Sequence, residues 1–139
     1  MEGSRRTWVK GSMLLTWMGV IFFLSSMPGS GDAGEPPLWY VLERKSAHVF
    51  EFAVLTGLAF VFFREVFARE KWKRILWAAG AWSIAYGALD ELHQAFVFGR
   101  GSRLSDVLVD ALGAGIAVLA FFFLLRRRKR GKKSKKVIY

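Results

Sequence analysis

Four long apolar stretches, separated by charged residues, dominate this sequence. They run from about residue 11 to 27, 47 to 63, 75 to 89 and 107 to 125, and Asp110 alone interrupts the last one. Each approaches the roughly 20 residues that a helix needs to cross about 30 Å of hydrocarbon. A helix also satisfies its own backbone hydrogen bonds, which a lipid environment requires. The sequence therefore predicts an all-α integral membrane protein, a bundle of four transmembrane helices.

The composition agrees with that class and excludes several others. Of the 139 residues, 53% are apolar and 16% are aromatic, more than one small soluble core could bury. The chain has no Cys, so a disulfide-stabilised fold and a thiolate zinc site are both excluded. Collagen-like, coiled-coil and disordered chains are excluded by the same composition.

The distribution of basic residues predicts the orientation in the membrane. Three precede the first stretch, five lie between the second and third, nine follow the fourth, and four fall in the other two loops. By the positive-inside rule the basic side is cytoplasmic, so both termini are predicted inside and loops 28–46 and 95–105 outside. We divide the chain into a four-helix membrane domain, residues 1–125, and a basic cytoplasmic tail, residues 126–139.

Each end of the chain has a second interpretation. The first stretch follows Arg5, Arg6 and Lys10 and precedes small residues, as in a signal peptide, whose cleavage would leave three spans. The basic counts favour four spans. The tail resembles a nucleic-acid-binding arm, but it follows a membrane end where anionic headgroups stabilise each bound cation by about 1 kcal/mol. We therefore predict lipid contact for the tail and no nucleic acid partner.

The polar residues within or beside the apolar stretches, all but one of them ionisable, gather at one predicted end of the bundle. They recur every third or fourth position, so those of one helix share a face. They are Lys45, His48 and Glu51; Asp90, Glu91, His93 and Gln94; and Arg100, Arg103, Asp106 and Asp110. An unpaired charge at the bilayer centre costs about 2.5–3.5 kcal/mol, so we expect pairing around one outward-facing pocket. Glu91, about 100° around the helix from Asp90, is also a candidate loop cap.

Three motifs in this order resemble the VanZ-like family of bacterial membrane proteins. They are Lys45-x-x-His48-x-x-Glu51-Phe52, Asp90-Glu91-x-x-Gln94-x-Phe96-x-x-Gly99-Arg100 and Asp106-x-x-x-Asp110-x-x-Gly113. The Ser25-Ser26-x-Pro28 segment is similar to that family too, and the resemblance covers about residues 10–125. It implies a small multi-pass protein of the bacterial cell membrane that acts at the envelope and affects glycopeptide (teicoplanin) susceptibility. It does not supply a reaction.

We expect the pocket to bind an anionic envelope amphiphile, such as a polyprenyl-phosphate-linked precursor or a phospholipid. The candidate binding residues are Lys45, His48, Glu51, Asp90, Glu91, Gln94, Arg100, Asp106 and Asp110. Arg100 offers a planar fork for phosphate, with Lys45 or Arg44 as a point charge beside it. No cofactor is predicted. The small-residue spacing Ala111-x-x-x-Gly115 suits close packing within the bundle or in a homo-oligomer.

Three other interpretations remain open. In the first, the charges only hold the helices together. In the second, the protein is a membrane-embedded hydrolase or transferase that acts on a lipid-linked substrate. His48, Glu51, Asp90 and His93 would then supply metal ligands, and unpaired carboxylates would act as acid and base. Their spacing matches no zinc-enzyme signature, so no metal is assigned. The third, a proton relay, is disfavoured because the inner half of every stretch lacks ionisable groups.

Overall fold

The described residues of the chain form four α-helices. A computed structural model describes residues 2–29, 37–101 and 103–135. The helices are α1 (Glu2–Ser25), α2 (Leu38–Val66), α3 (Trp72–Gln94) and α4 (Leu104–Lys135), and the described residues contain no strand. The all-helical prediction is confirmed. Each helix is longer than the apolar stretch that predicted it, and α4 continues into the basic segment.

Three of the four helices are long and apolar enough to cross a membrane. They are α1, α2 and the part of α4 that ends at Arg128. α3 is less clearly a span because basic residues begin it and Asp90, Glu91 and Gln94 lie in its last turns. Three of the four predicted spans are thus long and apolar enough to cross. The crossing by α3 and the cytoplasmic location of both termini stay predictions.

α2 lies at the centre of the bundle. It packs against each of the other three helices, and α3 packs against α4 and, more sparsely, against α1. Short connections make successive helices run in opposite directions. The ends of α1 and α3 therefore lie beside the starts of α2 and α4, and this is the end of the bundle at which the polar residues of the sequence gather.

The apolar core lies mainly in the other part of the bundle. Leu55 and Phe60 of α2 are buried there in one cluster with Leu76 of α3 and Val118 of α4. Large apolar side chains are also exposed on all four helices, among them Phe23, Phe50, Trp77 and Leu119. Apolar surface this extensive is unusual on a soluble monomer and suits a lipid environment.

Two glycines let the helices approach one another at the level of Asp110. A Cβ atom on Gly113 of α4 would overlap the backbone carbonyl of Val49, so α2 and α4 lie in close backbone contact. A Cβ atom on Gly87 of α3 would lie 2.9 Å from Asp110 Oδ2 and 3.1 Å from the Phe52 ring. These glycines set the register in which α2, α3 and α4 surround one buried carboxyl group.

Candidate functional site

Two polar contacts join the start of α2 to the start of α4. His48 Nδ1 lies 3.0 Å from Asp110 Oδ1, and the Asp110 side chain is fully buried while that of His48 is 16% exposed. About one turn earlier on both helices, Lys45 Nζ donates to Asp106 Oδ1 at 3.0 Å. The spacing of three or four residues on both helices produces these two successive contacts.

Three buried polar atoms have no hydrogen-bond partner within the described parts of the chain. They are Asp110 Oδ2, Ser83 Oγ and Glu91 Oε1. Leaving a buried polar atom unpaired costs about 1–3 kcal/mol. Stability therefore does not explain why these atoms are buried without partners, and a functional role is one explanation.

Arg100 connects the end of α1 to the end of α3. Its guanidinium donates from Nη2 to the Leu24 carbonyl and from Nε to the Met27 carbonyl, each at 2.9 Å, and from Nη1 to Gln94 Oε1 at 3.0 Å. Gln94 Nε2 in turn donates to Asp90 Oδ2 at 2.7 Å. The last carbonyls of a helix lack intrahelical partners and carry partial negative charge, so a cation stabilises them. Arg100 is held in a fixed position by these contacts.

The connection between α3 and α4 positions Arg100. Gly99 adopts a φ of 72°, a left-handed conformation that suits glycine. The Gly29 backbone N–H donates to the Phe98 carbonyl at 3.1 Å, and a Cβ atom on Gly29 would overlap the Gly99 carbonyl. This close approach holds the connection against the chain that leaves α1.

Glu91 and His93 make contacts outside the pocket. Glu91 Oε2 accepts a hydrogen bond at 3.2 Å from the backbone N–H of Arg103, the residue before α4, as its interpretation as a loop cap predicts. His93 Nε2 lies 3.0 Å from Ser26 Oγ, and its ring stacks on Phe22 with centroids 4.5 Å apart. Neither residue lines a cavity.

Two adjoining cavities open among the polar residues of the described chain. The smaller, of about 170 Å³, lies between α2, α4 and the connection before α4; the larger, of about 480 Å³, lies between α1, α2 and α3. The residues that line both are Tyr40, Arg44, His48 and Arg100. His48 and the two arginines thus stand where the cavities meet.

The two cavities differ in charge. The smaller is lined by four cationic side chains and one acid: Arg44, Lys45, Arg100, Arg103 and Asp106. The larger adds three acids to the shared arginines: Glu43, Glu51 and Asp90. The smaller cavity therefore suits an anion, and the larger one suits water or hydroxyl groups.

Arg44 is a cation of this site that no acidic side chain holds in place. It forms no ion pair with any described residue, whereas Lys45 is paired with Asp106. Burial lowers the pKa of Arg100, and the charge of the nearby Arg44 lowers it further. Two cations that raise each other's energy in this way would both be stabilised by an anion between them.

Six of the nine predicted binding residues line one or both cavities. They are Lys45, His48, Glu51, Asp90, Arg100 and Asp106. Glu91, Gln94 and Asp110 line neither, and each instead holds a neighbouring group in place through the contacts described above. The described residues contain no group of three His, Asp or Glu side chains suited to hold a metal, so the geometry gives the metal-dependent interpretation no ligand set.

Sequence reasoning missed Tyr40, which lines both cavities, and the backbone carbonyls of Leu24 and Met27. No side-chain pattern signals a carbonyl acceptor. Pro28 is the available sign, because a proline just past a helix end marks carbonyls that need an outside donor.

Comparison with known proteins identifies the family of this chain. No curated protein and no solved structure matches it. The VanZ/LLP1 family model matches residues 12–126, which include most of each helix and all the motifs that line or support the two cavities. The chain therefore belongs to the VanZ/LLP1 family.

Proposed function

We propose that this protein of the bacterial cell membrane binds the phosphate group of an envelope lipid or lipid-linked glycan precursor in its smaller cavity. Family membership and three span-length apolar helices support a membrane protein of the cell envelope, linked to glycopeptide resistance by the family name. The observation that carries the binding proposal is the excess of cations around the smaller cavity, where four basic side chains face one acid.

Arg44 is the principal ligand-binding cation in this proposal. It has no acidic partner among the described residues, so binding an anion breaks no existing ion pair. Arg100 contributes a fixed charge, because its bonds to α1 and Gln94 already hold three of its five N–H groups. A site that is ordered before its ligand arrives loses less entropy on binding.

Exposed apolar side chains beside the cavity support an amphiphile as the ligand. Phe98, next to Gly99 and Arg100, is 87% exposed, and Leu104 at the start of α4 is 86% exposed. A lipid needs a charged site for its headgroup and an apolar surface for its chain. With the basic termini in the cytoplasm, both surfaces would face the outer leaflet.

Binding of defined lipids to the purified full-length protein tests this proposal. We expect polyprenyl phosphate to bind and Arg44→Gln to weaken it about 10- to 100-fold, the range for losing a charge-assisted hydrogen bond. Arg69→Gln is the matched control, since Arg69 is exposed in the connection between α2 and α3 at the opposite end of the bundle. That variant should bind within twofold of wild type.

The comparison among lipids identifies the source of the phosphate. Polyprenyl phosphate, phosphatidylglycerol and phosphatidylcholine differ in chain and headgroup, so the tightest binder among them indicates the class of ligand. Equal binding of zwitterionic phosphatidylcholine, or wild-type affinity in a folded Arg44→Gln variant, would contradict the proposal. Arg100→Ala is a poorer test, because it also removes three hydrogen bonds that join α1 to α3.

A further inference from the structure

We propose that the site is catalytic, with His48 as the base that activates water to hydrolyse the pyrophosphate ester of a membrane lipid. This inference rests on the anion binding proposed above and adds a reaction to it. Its basis is the position of His48, which lines both cavities and contacts the fully buried Asp110.

The contact with Asp110 assigns separate roles to the two nitrogens of His48. Nδ1 lies 3.0 Å from Asp110 Oδ1. Because an ionised carboxylate can only accept hydrogen bonds, in this proposal the imidazole proton lies on Nδ1, which donates it to Asp110. Nε2 is then left as a proton acceptor. A buried aspartate that bonds a histidine in this way fixes the tautomer and stabilises the imidazolium that forms when the base takes a proton.

Asp110 is held rigidly enough to orient His48. Gly87 forms one side of its niche beside the Phe52 ring, and one turn further along α4 the close approach of Gly113 to Val49 fixes the spacing of α2 and α4. Its second oxygen has no partner among the described residues, so the contact with His48 is the one hydrogen bond that this carboxyl group makes to them. The arrangement fits a positioning residue better than a contact whose purpose is stability.

The charges of the two cavities place two different reactants beside His48. The smaller, cation-lined cavity suits the pyrophosphate, and Arg44 lies one helical turn from His48, about 6 Å along α2. The larger cavity is lined by Glu43, Glu51 and Asp90, which repel phosphate but accept hydrogen bonds from water. His48 stands between the anion and the water supply.

The reaction balances with water as the sole co-reactant. His48 Nε2 takes a proton from water while the water oxygen forms a bond to the terminal phosphorus. The bond from that phosphorus to the bridging oxygen breaks, and the electron pair stays on the lipid monophosphate, whose charge the two arginines neutralise. The imidazolium then releases its proton to solvent. A phosphate leaving group departs without prior protonation, so one base suffices for this reaction. A lipid alcohol as the leaving group would also need an acid to protonate it.

Release of inorganic phosphate from polyprenyl pyrophosphate tests this inference on the full-length protein in detergent micelles. We expect wild type to release phosphate, and we expect His48→Gln to release it at least 100-fold more slowly. His93→Gln is the matched control, because His93 is the other histidine of the chain and lines neither cavity. Its rate should stay within threefold of wild type.

Asp110→Asn separates positioning from structural support. We expect kcat to fall about 10²- to 10⁴-fold, as when a histidine loses the carboxylate that fixes its tautomer, while KM stays within threefold. A melting temperature near that of wild type would show that the loss is not unfolding. An unchanged kcat in this folded variant would overturn the role of Asp110.

Binding of a methylene-bisphosphonate analogue of the substrate distinguishes failure of catalysis from failure of binding. Wild type and His48→Gln should bind it within twofold of each other. If wild type binds the analogue but releases no phosphate, or if His48→Gln releases phosphate at the wild-type rate, the catalytic inference is wrong and lipid binding stands. If wild type does not bind the analogue, the catalytic inference fails, and the binding of polyprenyl phosphate decides the binding proposal separately.

Discussion

The two ends of this bundle are held together by different forces. At one end, which we call the polar half, His48–Asp110, Lys45–Asp106 and the bonds of Arg100 join the helices. At the other, the apolar half, aromatic rings pack between helices, and one ion pair, Lys10–Glu65, joins α1 to α2. Phe60 of α2 lies 5.1 Å from Phe121 of α4, Phe63 lies 6.0 Å from Trp82 of α3, and Trp72 lies 5.7 Å from Phe122.

This difference separates the parts of the chain that hold the fold from those that carry function. Aromatic packing in the apolar half stabilises the bundle and leaves few polar atoms unpaired. The polar half buries Asp90, Glu91 and Asp110 at a cost in desolvation, and leaves two carboxylate oxygens, Glu91 Oε1 and Asp110 Oδ2, without a partner among the described residues. Ionisable groups placed inside a membrane protein at such a cost usually bind, transfer or sense something.

The largest expected effect on stability comes from the apolar half. Phe60 is 2% exposed and packs on Phe121, so Phe60→Ala leaves a cavity and should lower the free energy of unfolding by about 3 kcal/mol. Phe123→Ala is the control, because Phe123 is 55% exposed. Denaturant titration in detergent measures both variants. Lipid binding per folded molecule should not change, and a loss of binding in folded Phe60→Ala would contradict the division into two halves.

A smaller loss of stability is expected from a substitution where the two halves meet. The methyl group of Gly113→Ala would overlap the Val49 carbonyl and force α2 and α4 apart, which should cost about 1–3 kcal/mol. Gly115→Ala is the matched control, since its methyl group would meet no atom within 4 Å. Because the displacement also separates His48 from Asp110, we expect Gly113→Ala to alter lipid binding as well as thermal stability. Equal stability of the two variants would show that this backbone contact does not set the register.

Much of the fold follows from the sequence because apolar stretches of span length leave few alternatives to helices. The helices extend beyond those stretches because charged residues such as Arg64 continue a helix as well as apolar ones do. α3 is the weakest prediction, since the acids that make it part of the site also make it less apolar than the other helices.

The site could be predicted only in part. Helical spacing identifies the faces that carry Lys45, His48, Asp106 and Asp110, but it does not say which cation meets which acid. That choice depends on the register of α2 against α4, and the contact of Gly113 with Val49 sets the register in three dimensions. The partners of Arg100 were beyond sequence reasoning for another reason, because two of them are backbone carbonyls.

The smallest effect on stability is expected for the Lys45–Asp106 ion pair of the polar half. Its side chains are 41% and 30% exposed, so a double-mutant cycle with Lys45→Gln and Asp106→Asn should give a coupling of about 0.2–1 kcal/mol. The two substitutions should change the affinity for polyprenyl phosphate in opposite directions. Lys45→Gln removes a cation from the smaller cavity and should weaken polyprenyl phosphate binding. Asp106→Asn removes the acid that competes for Lys45 and should strengthen it two- to fivefold, about 0.4–1 kcal/mol.

Opposite changes in lipid affinity in the two variants would distinguish a binding site from a contact that only joins two helices. If the ion pair served only to hold α2 against α4, either substitution would loosen the same contact, and both variants would bind less lipid. If the cations serve the ligand, Asp106→Asn binds more tightly although its fold is slightly less stable. A gain in affinity that accompanies a loss of stability cannot come from a better folded protein, so it would assign the charge of Lys45 to the ligand rather than to the bundle.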